Sequence, residues 1–407
     1  MTVPSGPVVR SRLVVHIHGY QLTAPERFHR RFGRDLATFG ETWSAKTATG
    51  LPEISPRQAR WSAEAAGPDW RTRTDYRIIR LDDLIAQGHH RPLLDRIVLG
   101  IRGLFDFLLD PAILGYFRYG WRYAIFTLAP LAMMVAAVMA GLAAGWWLSA
   151  PLGPMLAALA GLAVFAAAIA LCSKKFFLFI LLEDWAFASV LARRLEPELA
   201  ARLDEARREV QAAVEADAYD EVLLIGHSLG AVMILHLAEM LLAGLPEGTS
   251  GSCRTRIAVL TIGSSVLKIG LHSAAAPLRR ATAAVTASSR LVWADYWSQH
   301  DVMNFPYVDP AVAMGLTPVH PTISRKATFR HMISPEALRA LRFDFFRKHN
   351  LFFHAATRRS EYDYFLFACG PFFCGDLARS REGALAWLDA AGALTDKAPG
   401  VGSPSEA

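Results

Sequence analysis

The feature that most constrains the fold of this chain is a long apolar stretch without a single ionisable side chain of the Asp, Glu, Lys, Arg or His type. The stretch covers residues 123–173, far more than a core helix of a globular protein needs. Two prolines and a glycine within residues 149–154 predict a turn. The flanking segments, 125–148 and 155–172, would form helices of roughly 36 and 27 Å, and both can cross a bilayer core. The sequence therefore predicts a two-helix transmembrane hairpin.

Basic residues at the two ends of this stretch predict its orientation. Arg118 and Arg122 precede it, Lys174 and Lys175 follow it, and the central turn carries no charge. By the positive-inside rule, both outer ends lie in the cytoplasm. We therefore expect an integral protein of the cytoplasmic membrane whose remaining chain faces the cytosol.

Charge and composition favour a lipid surface over nucleic acid as the partner. Hydrophobic residues make up 53% of the chain and its net charge is +6, a combination that suits anionic lipid. Residues 93–109 place apolar side chains at helical spacing, with Arg96, Arg102 and Asp106 between them. Such an amphipathic helix either lies in the membrane interface or packs against the rest of the protein.

Outside the apolar stretch, strand patterns alternate with helix patterns. The predicted strands are 12–20, 75–84, 221–226, 256–266 and 289–297, and the predicted helices are 25–43, 196–216 and 231–244. Four or five strands separated by helices predict an α/β fold with a doubly wound, mostly parallel sheet. The chain divides into residues 1–88 and 186–395 of this domain, an insertion at 89–185, and a disordered tail at 396–407.

A Gly-x-Ser-x-Gly motif lies between a predicted strand and a predicted helix. It reads Gly226-His-Ser228-Leu-Gly230. Glycines on both sides allow the strand and the helix to approach closely, while the serine adopts a strained backbone that exposes its hydroxyl. This context favours Ser228 as a nucleophile over a serine in an ordinary turn.

The chain resembles the α/β-hydrolase fold and, within it, the lipase-like serine hydrolases. The resemblance rests on "HGY" at residues 18–20, "GHSLG" at 226–230, and a later Asp and His in the order Ser–Asp–His. It covers roughly residues 10–85 and 186–375. It implies ester hydrolysis by a catalytic triad. The transmembrane insertion departs from the common family pattern.

The resemblance also implies the acid of the triad. Asp301 lies on the loop after the predicted strand 289–297, where the fold places its carboxylate. Asp295, inside that strand, is the alternative.

Several histidines downstream of Asp301 are candidates for the base. Members of the family carry this histidine on a loop after the last strand, ahead of a closing helix. His349, at the polar start of "RKHNLFFHAATRRSEYDYF", is the predicted base and His354 the alternative. His331, before a predicted helix, and His320, between two prolines, fit less well.

Backbone N–H groups must stabilise the negative charge that develops on the substrate oxygen. Leu229, directly after the nucleophile, is expected to supply one, and by the resemblance Tyr20 supplies the other. His18 is expected to brace the Tyr20 loop, and His16 to be a core residue with satisfied hydrogen bonds. The sequence contains no HExxH motif, paired CxxC or phosphate loop, so we expect no metal and no nucleotide cofactor.

Together these features predict a membrane-anchored serine hydrolase that cleaves an acyl or lipid-like ester. Acyl transfer to an alcohol other than water would use the same residues. The alternative is a catalytically inactive fold of the same type that serves as a membrane interaction module. The presence of the serine, aspartate, histidine and His-Gly elements together favours the enzyme.

Overall fold

A computed structural model describes residues 8–245 and 254–399. Its strands are β1 (Ser11–Ile17), β2 (Lys46–Thr49), β3 (Glu53–Ile54), β4 (Gln58–Ala66), β5 (Arg71–Ile79), β6 (Glu221–His227), β7 (Arg256–Ile262), β8 (Leu291–Trp297) and β9 (Ile323–Lys326). Its longer helices are α1 (Pro25–Trp43), α2 (Asp82–His89), α3 (Leu93–Leu108), α4 (Ala112–Phe176), α5 (Leu178–Arg193), α6 (Pro197–Glu215), α7 (Gly230–Gly244), α8 (Val266–Gly270) and α9 (Ala276–Ala287). The shorter ones are α10 (Pro310–Ala313), α11 (Phe329–Met332), α12 (Pro335–Ala340), α13 (Phe345–Asn350), α14 (Tyr364–Cys369), α15 (Cys374–Arg379) and α16 (Ala384–Trp387).

The strands of the described chain form one mixed sheet of nine strands, in the order β2-β4-β5-β1-β6-β7-β8-β9, with β3 beside β4. Neighbours from β5 to β9 pair in parallel, whereas β2, β3 and β5 each pair with β4 antiparallel. The predicted α/β class is confirmed. The prediction of four or five strands was wrong, because it missed the short parallel edge strand β9 and the antiparallel strands at residues 46–66. Their alternating polar and small residues form one partly exposed face, and a short turn joins β4 to β5.

The buried side chains form two hydrophobic clusters, one on each face of the sheet. Along β1, Leu13, Val15 and Ile17 belong to the cluster beneath α5 and α7, whereas Val14 belongs to the one beneath α1 and α14. This alternation follows from the two-residue period of a strand. Because both faces are covered, the central strand β6 is buried along its whole length, whereas the edge strand β9 is only partly buried.

The apolar stretch forms part of one long helix, α4. Of the helices in the described ranges, it is the one long and apolar enough to cross a membrane, with a mean hydropathy of 2.5 in its most apolar window. The structure records one helix here, whereas the sequence predicted two helices and a turn over 149–154. Its backbone is non-helical at Gly120 and Gly153, where Gly153 has a φ of +72°. A Cβ at Gly141 would lie 2.8 Å from the carbonyl oxygen of Gly161.

The amphipathic segment forms α3, which packs on α5. A Cβ at Gly103 would lie 2.5 Å from the carbonyl oxygen of Trp185, so the two backbones approach closely. The opposite side of α3 exposes apolar side chains, with Leu94 70% and Phe105 38% exposed. The helix therefore packs on the protein and also presents an apolar face.

The two chain ends are described in part. Of the predicted disordered tail, residues 400–407 lie outside the described ranges, whereas residues 396–399 form a turn. Ala398 in this turn is buried, so the predicted start of the tail at residue 396 was too early.

Candidate active site

Ser228 lies in the tight turn between β6 and α7. Its φ is +55°, a left-handed conformation that non-glycine residues rarely adopt, so the turn stores strain at the position the motif predicts. A Cβ at Gly226 would lie 2.5 Å from Cα of Ala231, and one at Gly230 would lie 2.0 Å from the carbonyl oxygen of Ile17. Both positions therefore require glycine for the strand and the helix to approach.

Asp301 and His349 form a buried hydrogen-bonded pair. Nδ1 of His349 lies 2.7 Å from Oδ2 of Asp301. The side chain of Asn304 donates to the same oxygen at 2.7 Å, and the backbone N–H of Met303 donates to Oδ1 at 2.9 Å. Burial opposes ionisation of Asp301, but His349 and the donated hydrogen bonds outweigh it and lower the pKa of Asp301. An ionised Asp301 accepts a hydrogen bond from Nδ1–H of His349, and this tautomer leaves Nε2 free to accept a proton.

The backbone positions of this pair match the predictions in part. Asp301 lies on the loop after β8, as expected. His349 lies inside the short helix α13, whereas the family resemblance predicted a loop. Asp344 caps this helix by accepting a hydrogen bond from the backbone N–H of Arg347 at 2.9 Å, so helical structure begins one turn before the histidine.

Ser228 and His349 line one cavity of about 60 Å³ at the carboxyl ends of the parallel strands. Nε2 of His349 is buried and has no hydrogen-bond partner within the described part of the chain. Oγ of Ser228 lies 3.3 Å from Oγ of Ser265, which lines the same cavity. The structure thus brings together the three residues that the sequence predicted as nucleophile, acid and base.

The predicted oxyanion donors lie next to the serine. A Cβ at Gly19 would lie 2.7 Å from Cβ and 3.1 Å from Oγ of Ser228, so the Tyr20 loop touches Ser228. The backbone N–H groups of Tyr20 and Leu229 donate no hydrogen bond to any other residue of the described ranges. Both groups therefore remain available to a ligand.

Asp295, the alternative acid, belongs to a different environment. Its Oδ1 accepts a hydrogen bond from the hydroxyl of Thr261 at 2.5 Å inside the sheet. Burial raises the pKa of Asp295 to about 7. The structure therefore brings Asp301 to the histidine and keeps Asp295 apart as a partly protonated core residue.

The alternative bases have other partners. Nδ1 of His354 lies 2.7 Å from a carboxylate oxygen of Asp35. His331 contacts Glu361 at 3.0 Å, and His320 is exposed. The sequence left the choice between His349 and His354 open because both flank the same apolar run, and only tertiary packing separates them.

A cluster of largely buried histidines lies next to His349. His16 contacts the hydroxyls of Tyr76 and Tyr364 through Nδ1. Its Nε2, both ring nitrogens of His18 and Nδ1 of His227 have no hydrogen-bond partner among the described residues. His16 was predicted to be fully satisfied, and this holds for only one of its nitrogens.

Burial keeps these histidines neutral. It lowers the pKa of His16 to about 3, and it lowers the pKa values of His18 and His227 well below their usual range. The ring of His18 packs 4.4 Å from that of Phe28, consistent with the predicted bracing role. The ring of His227 lies 4.5 Å from that of His349. Sequence reasoning missed His227, although it directly precedes Ser228.

Apolar residues from α4, α5 and α13 complete the wall of the Ser228 cavity. Tyr123 and Phe126 come from α4, Ile180 from the first turn of α5, and Phe346 from α13. Sequence reasoning assigned none of them to the site, because their contact with Ser228 depends on long-range packing.

One charged pair also lines this cavity. Nζ of the buried Lys268 donates a hydrogen bond to Asp184 and lies 4.1 Å above the ring of Trp185. Asp184 compensates the burial of the lysine charge. The pair joins α5 to α8 beside the serine.

A second and larger cavity of about 850 Å³ lies between α2, α3, α5 and α6. Tyr20 lines both cavities, and its ring lies 5.5 Å from that of Phe187. Tyr20 is therefore a wall residue shared by the two cavities, and Phe187 packs against it on the side of the larger one.

Within residues 8–245 and 254–399, no cluster of three or more His, Cys, Asp or Glu side chains is arranged to hold a metal ion. Comparisons of the chain with protein families, with curated proteins and with solved structures give no match.

Proposed function

We propose that this chain is a serine hydrolase that cleaves an ester through a covalent acyl-enzyme. One observation carries the proposal. Nδ1 of His349 is hydrogen-bonded to Asp301, while Nε2 of the same ring is buried and has no hydrogen-bond partner among the described residues. This ring lines the same cavity as Ser228, whose backbone is strained. A nucleophile, a base and an orienting carboxylate in this order are what activation of a serine requires.

In the acylation step, Nε2 of His349 takes the hydroxyl proton of Ser228 as Oγ attacks the ester carbonyl carbon. The carbonyl oxygen becomes an oxyanion, which the backbone N–H groups of Tyr20 and Leu229 stabilise. Asp301 stabilises the imidazolium. The C–O bond to the leaving alcohol then breaks, and the imidazolium protonates that alcohol.

In the deacylation step, His349 takes a proton from water, whose oxygen attacks the acyl carbon. The bond to Oγ breaks, the proton returns to Ser228, and the carboxylic acid leaves. Asp301 is buried, and His227, which packs against the ring of His349, is kept neutral by burial. The low polarity around this pair strengthens the interaction of Asp301 with the imidazolium.

The fold supports a place among α/β hydrolases of the lipase-like type. Six strands from β5 to β9 pair in parallel, helices cover both faces, and Ser228 follows a central strand. The triad residues follow one another along the chain as Ser228, Asp301 and His349, the order that this fold uses. The doubly wound assignment forms part of the proposal.

We further propose that α4 crosses the cytoplasmic membrane as a helical hairpin that reverses at Gly153. Support comes from the non-helical backbone there and from the contact between Gly141 and Gly161, which lie on opposite sides of it. Close approach of small residues is typical of packed membrane helices. Basic residues at both ends favour a cytosolic catalytic domain, and the exposed apolar face of α3 suits the bilayer interface.

The cavity walls favour an acyl or lipid-like ester as the substrate. Tyr123 and Phe126, at the start of the uncharged stretch, line the same cavity as Ser228. An ester held at the membrane surface would therefore meet the serine beside an apolar wall that suits its acyl chain.

Ester hydrolysis by matched serine variants tests the proposal. With the full chain in detergent, Ser228→Ala should lower kcat by on the order of 10³-fold or more, because the nucleophile is lost. Ser265→Ala, which removes the neighbouring hydroxyl, should cost much less. Near-normal turnover by Ser228→Ala would reject the hydrolase assignment and favour a catalytically inactive membrane interaction module.

A further inference from the structure

A short segment before His349 combines exposed aromatic rings with positive charge. We call residues 338–348 the aromatic–basic segment. Phe343 is 79% exposed and Phe345 38% exposed. The cations of the segment outnumber its one acid, Asp344; they are Arg339, Arg342, Arg347 and Lys348. An isolated phenylalanine left in water at this exposure forgoes most of its hydrophobic stabilisation.

The aromatic–basic segment is continuous with the apolar helix. The ring of Phe345 lies 6.4 Å from that of Phe126, and the ring of Phe346 lies 4.9 Å from that of Phe177. Phe126 lies at the start of the uncharged stretch and Phe177 just beyond its end. The segment therefore lies beside the two ends of the uncharged stretch. If α4 spans the bilayer, these ends are at the level of the membrane surface.

We propose that the aromatic–basic segment is a docking surface for an anionic lipid bilayer, with Phe343 inserted among the lipids. The inference rests on the membrane anchorage proposed above. The guanidinium of Arg342 lies 5.1 Å from the ring centroid of Phe343, and Nζ of Lys348 lies 5.7 Å from that of Phe345. Rings that enter the apolar region beside cations that stay with the phosphates are typical of interfacial segments.

This surface shares a helix with the catalytic base. Phe345, Phe346 and His349 all belong to the six residues of α13. Lipid contacts of the aromatic side chains would fix α13 on its membrane side. The hydrogen bond between His349 and Asp301 fixes the same helix on the side of the sheet. Phe343 thus acts as a positioning residue, and anionic lipid is expected to favour the reactive arrangement of His349.

Photochemical crosslinking tests the docking surface without any measure of activity. Phe343 is replaced by p-benzoylphenylalanine in the full chain, which is placed in nanodiscs of phosphatidylcholine with or without phosphatidylglycerol. Leu51, 89% exposed and outside the segment, carries the same residue as a matched control. We expect lipid adducts at position 343, with a several-fold higher yield in the anionic discs, and few adducts at position 51. Equal yields at the two positions would overturn the proposal.

Labelling of Ser228 by a fluorophosphonate in the same discs tests the coupling to the base. The labelling rate of the native chain should rise several-fold with phosphatidylglycerol, and Phe343→Ser should abolish that rise while Phe343→Trp preserves it. A rise that survives Phe343→Ser would contradict the positioning role. Intact labelling without adducts at position 343 would reject the docking surface alone. Adducts without any labelling would support the docking surface and reject the hydrolase.

Discussion

Replacement of Asp301 by asparagine should abolish the proposed ester hydrolysis, because it changes the tautomer and the charge stabilisation of His349. The carboxylate accepts three hydrogen bonds, from His349 and Asn304 at Oδ2 and from the backbone of Met303 at Oδ1. An amide offers one acceptor and one donor group, so in either orientation its NH₂ faces a donor. With the NH₂ toward His349, Nδ1 must accept and Nε2 carries the proton, so the ring cannot take the serine proton.

The opposite orientation keeps the tautomer but removes the charge that stabilises the imidazolium, and it places the NH₂ against the Met303 N–H. In the first orientation, a flip of the Asn304 side-chain amide would not restore the lost hydrogen bond at no cost. The NH₂ of Asn304 also donates to the carbonyl oxygen of Ser298 at 3.1 Å, and the flip would break that bond. In Ser-His-Asp enzymes this change lowers kcat about 10⁴-fold. A loss of this size corresponds to about 5.5 kcal/mol of transition-state stabilisation.

The assay is hydrolysis of a soluble short-chain ester, with the thermal unfolding midpoint as a check on folding. Asp295→Asn serves as the control, measured about one pH unit below the raised pKa of Asp295, where its carboxyl group is mostly neutral and an amide replaces it closely. This control should retain activity within about threefold. If Asp301→Asn stayed within tenfold of the native rate while Asp295→Asn lost more, the assignment of the acid would be wrong.

Three further predictions follow from the geometry. Gly19→Ala should lower kcat on the order of 10²-fold, because its Cβ would lie 2.7 Å from Cβ of Ser228; an unchanged rate would show that the loop moves freely. Between pH 6.5 and about 4.5 the native chain should lose stability because the unfolded state protonates His16 while the folded state, with its pKa near 3, does not. Denaturant titrations at several pH values give the free energy of unfolding as a function of pH. In His16→Asn, the slope of this free energy against pH should be lower by about 1.4 kcal/mol per pH unit. An equal slope in the variant and the native chain would mean that His16 takes up a proton in the folded state. A tag inserted at Gly153 should be accessible from outside the cell, and tags at both termini should be accessible from the cytosol; exported termini would refute the orientation. Deletion of residues 123–173 should release the protein from membranes unless α3 retains it.

Local patterns made the turn at Ser228 predictable. Ser228 lies within a short stretch where an apolar strand, two close glycines and an apolar helix follow one another, and all these signals act over few residues. The prediction of α1 as 25–43 was confirmed for the same reason. Its apolar residues recur at helical spacing and a proline begins it.

Long-range packing decided the remainder of the site. Nothing in the sequence near His349 separates it from His354, because the choice depends on which ring reaches Asp301 and which reaches Asp35. The apolar wall from Phe126 depends on the position of α4 relative to the sheet. The antiparallel strand β4 escaped prediction because its buried positions hold mostly alanines, which give weak strand patterns.

The most direct test of the central claim is the site at which a fluorophosphonate labels the purified full chain. The reagent transfers its phosphonyl group to an activated serine hydroxyl and displaces fluoride. The account predicts one labelled peptide that carries the adduct on Ser228, and it predicts that His349→Ala slows the labelling at least 10²-fold because the base is lost. Absence of labelling, or an adduct that persists in Ser228→Ala, would contradict the proposal that this chain is a serine hydrolase.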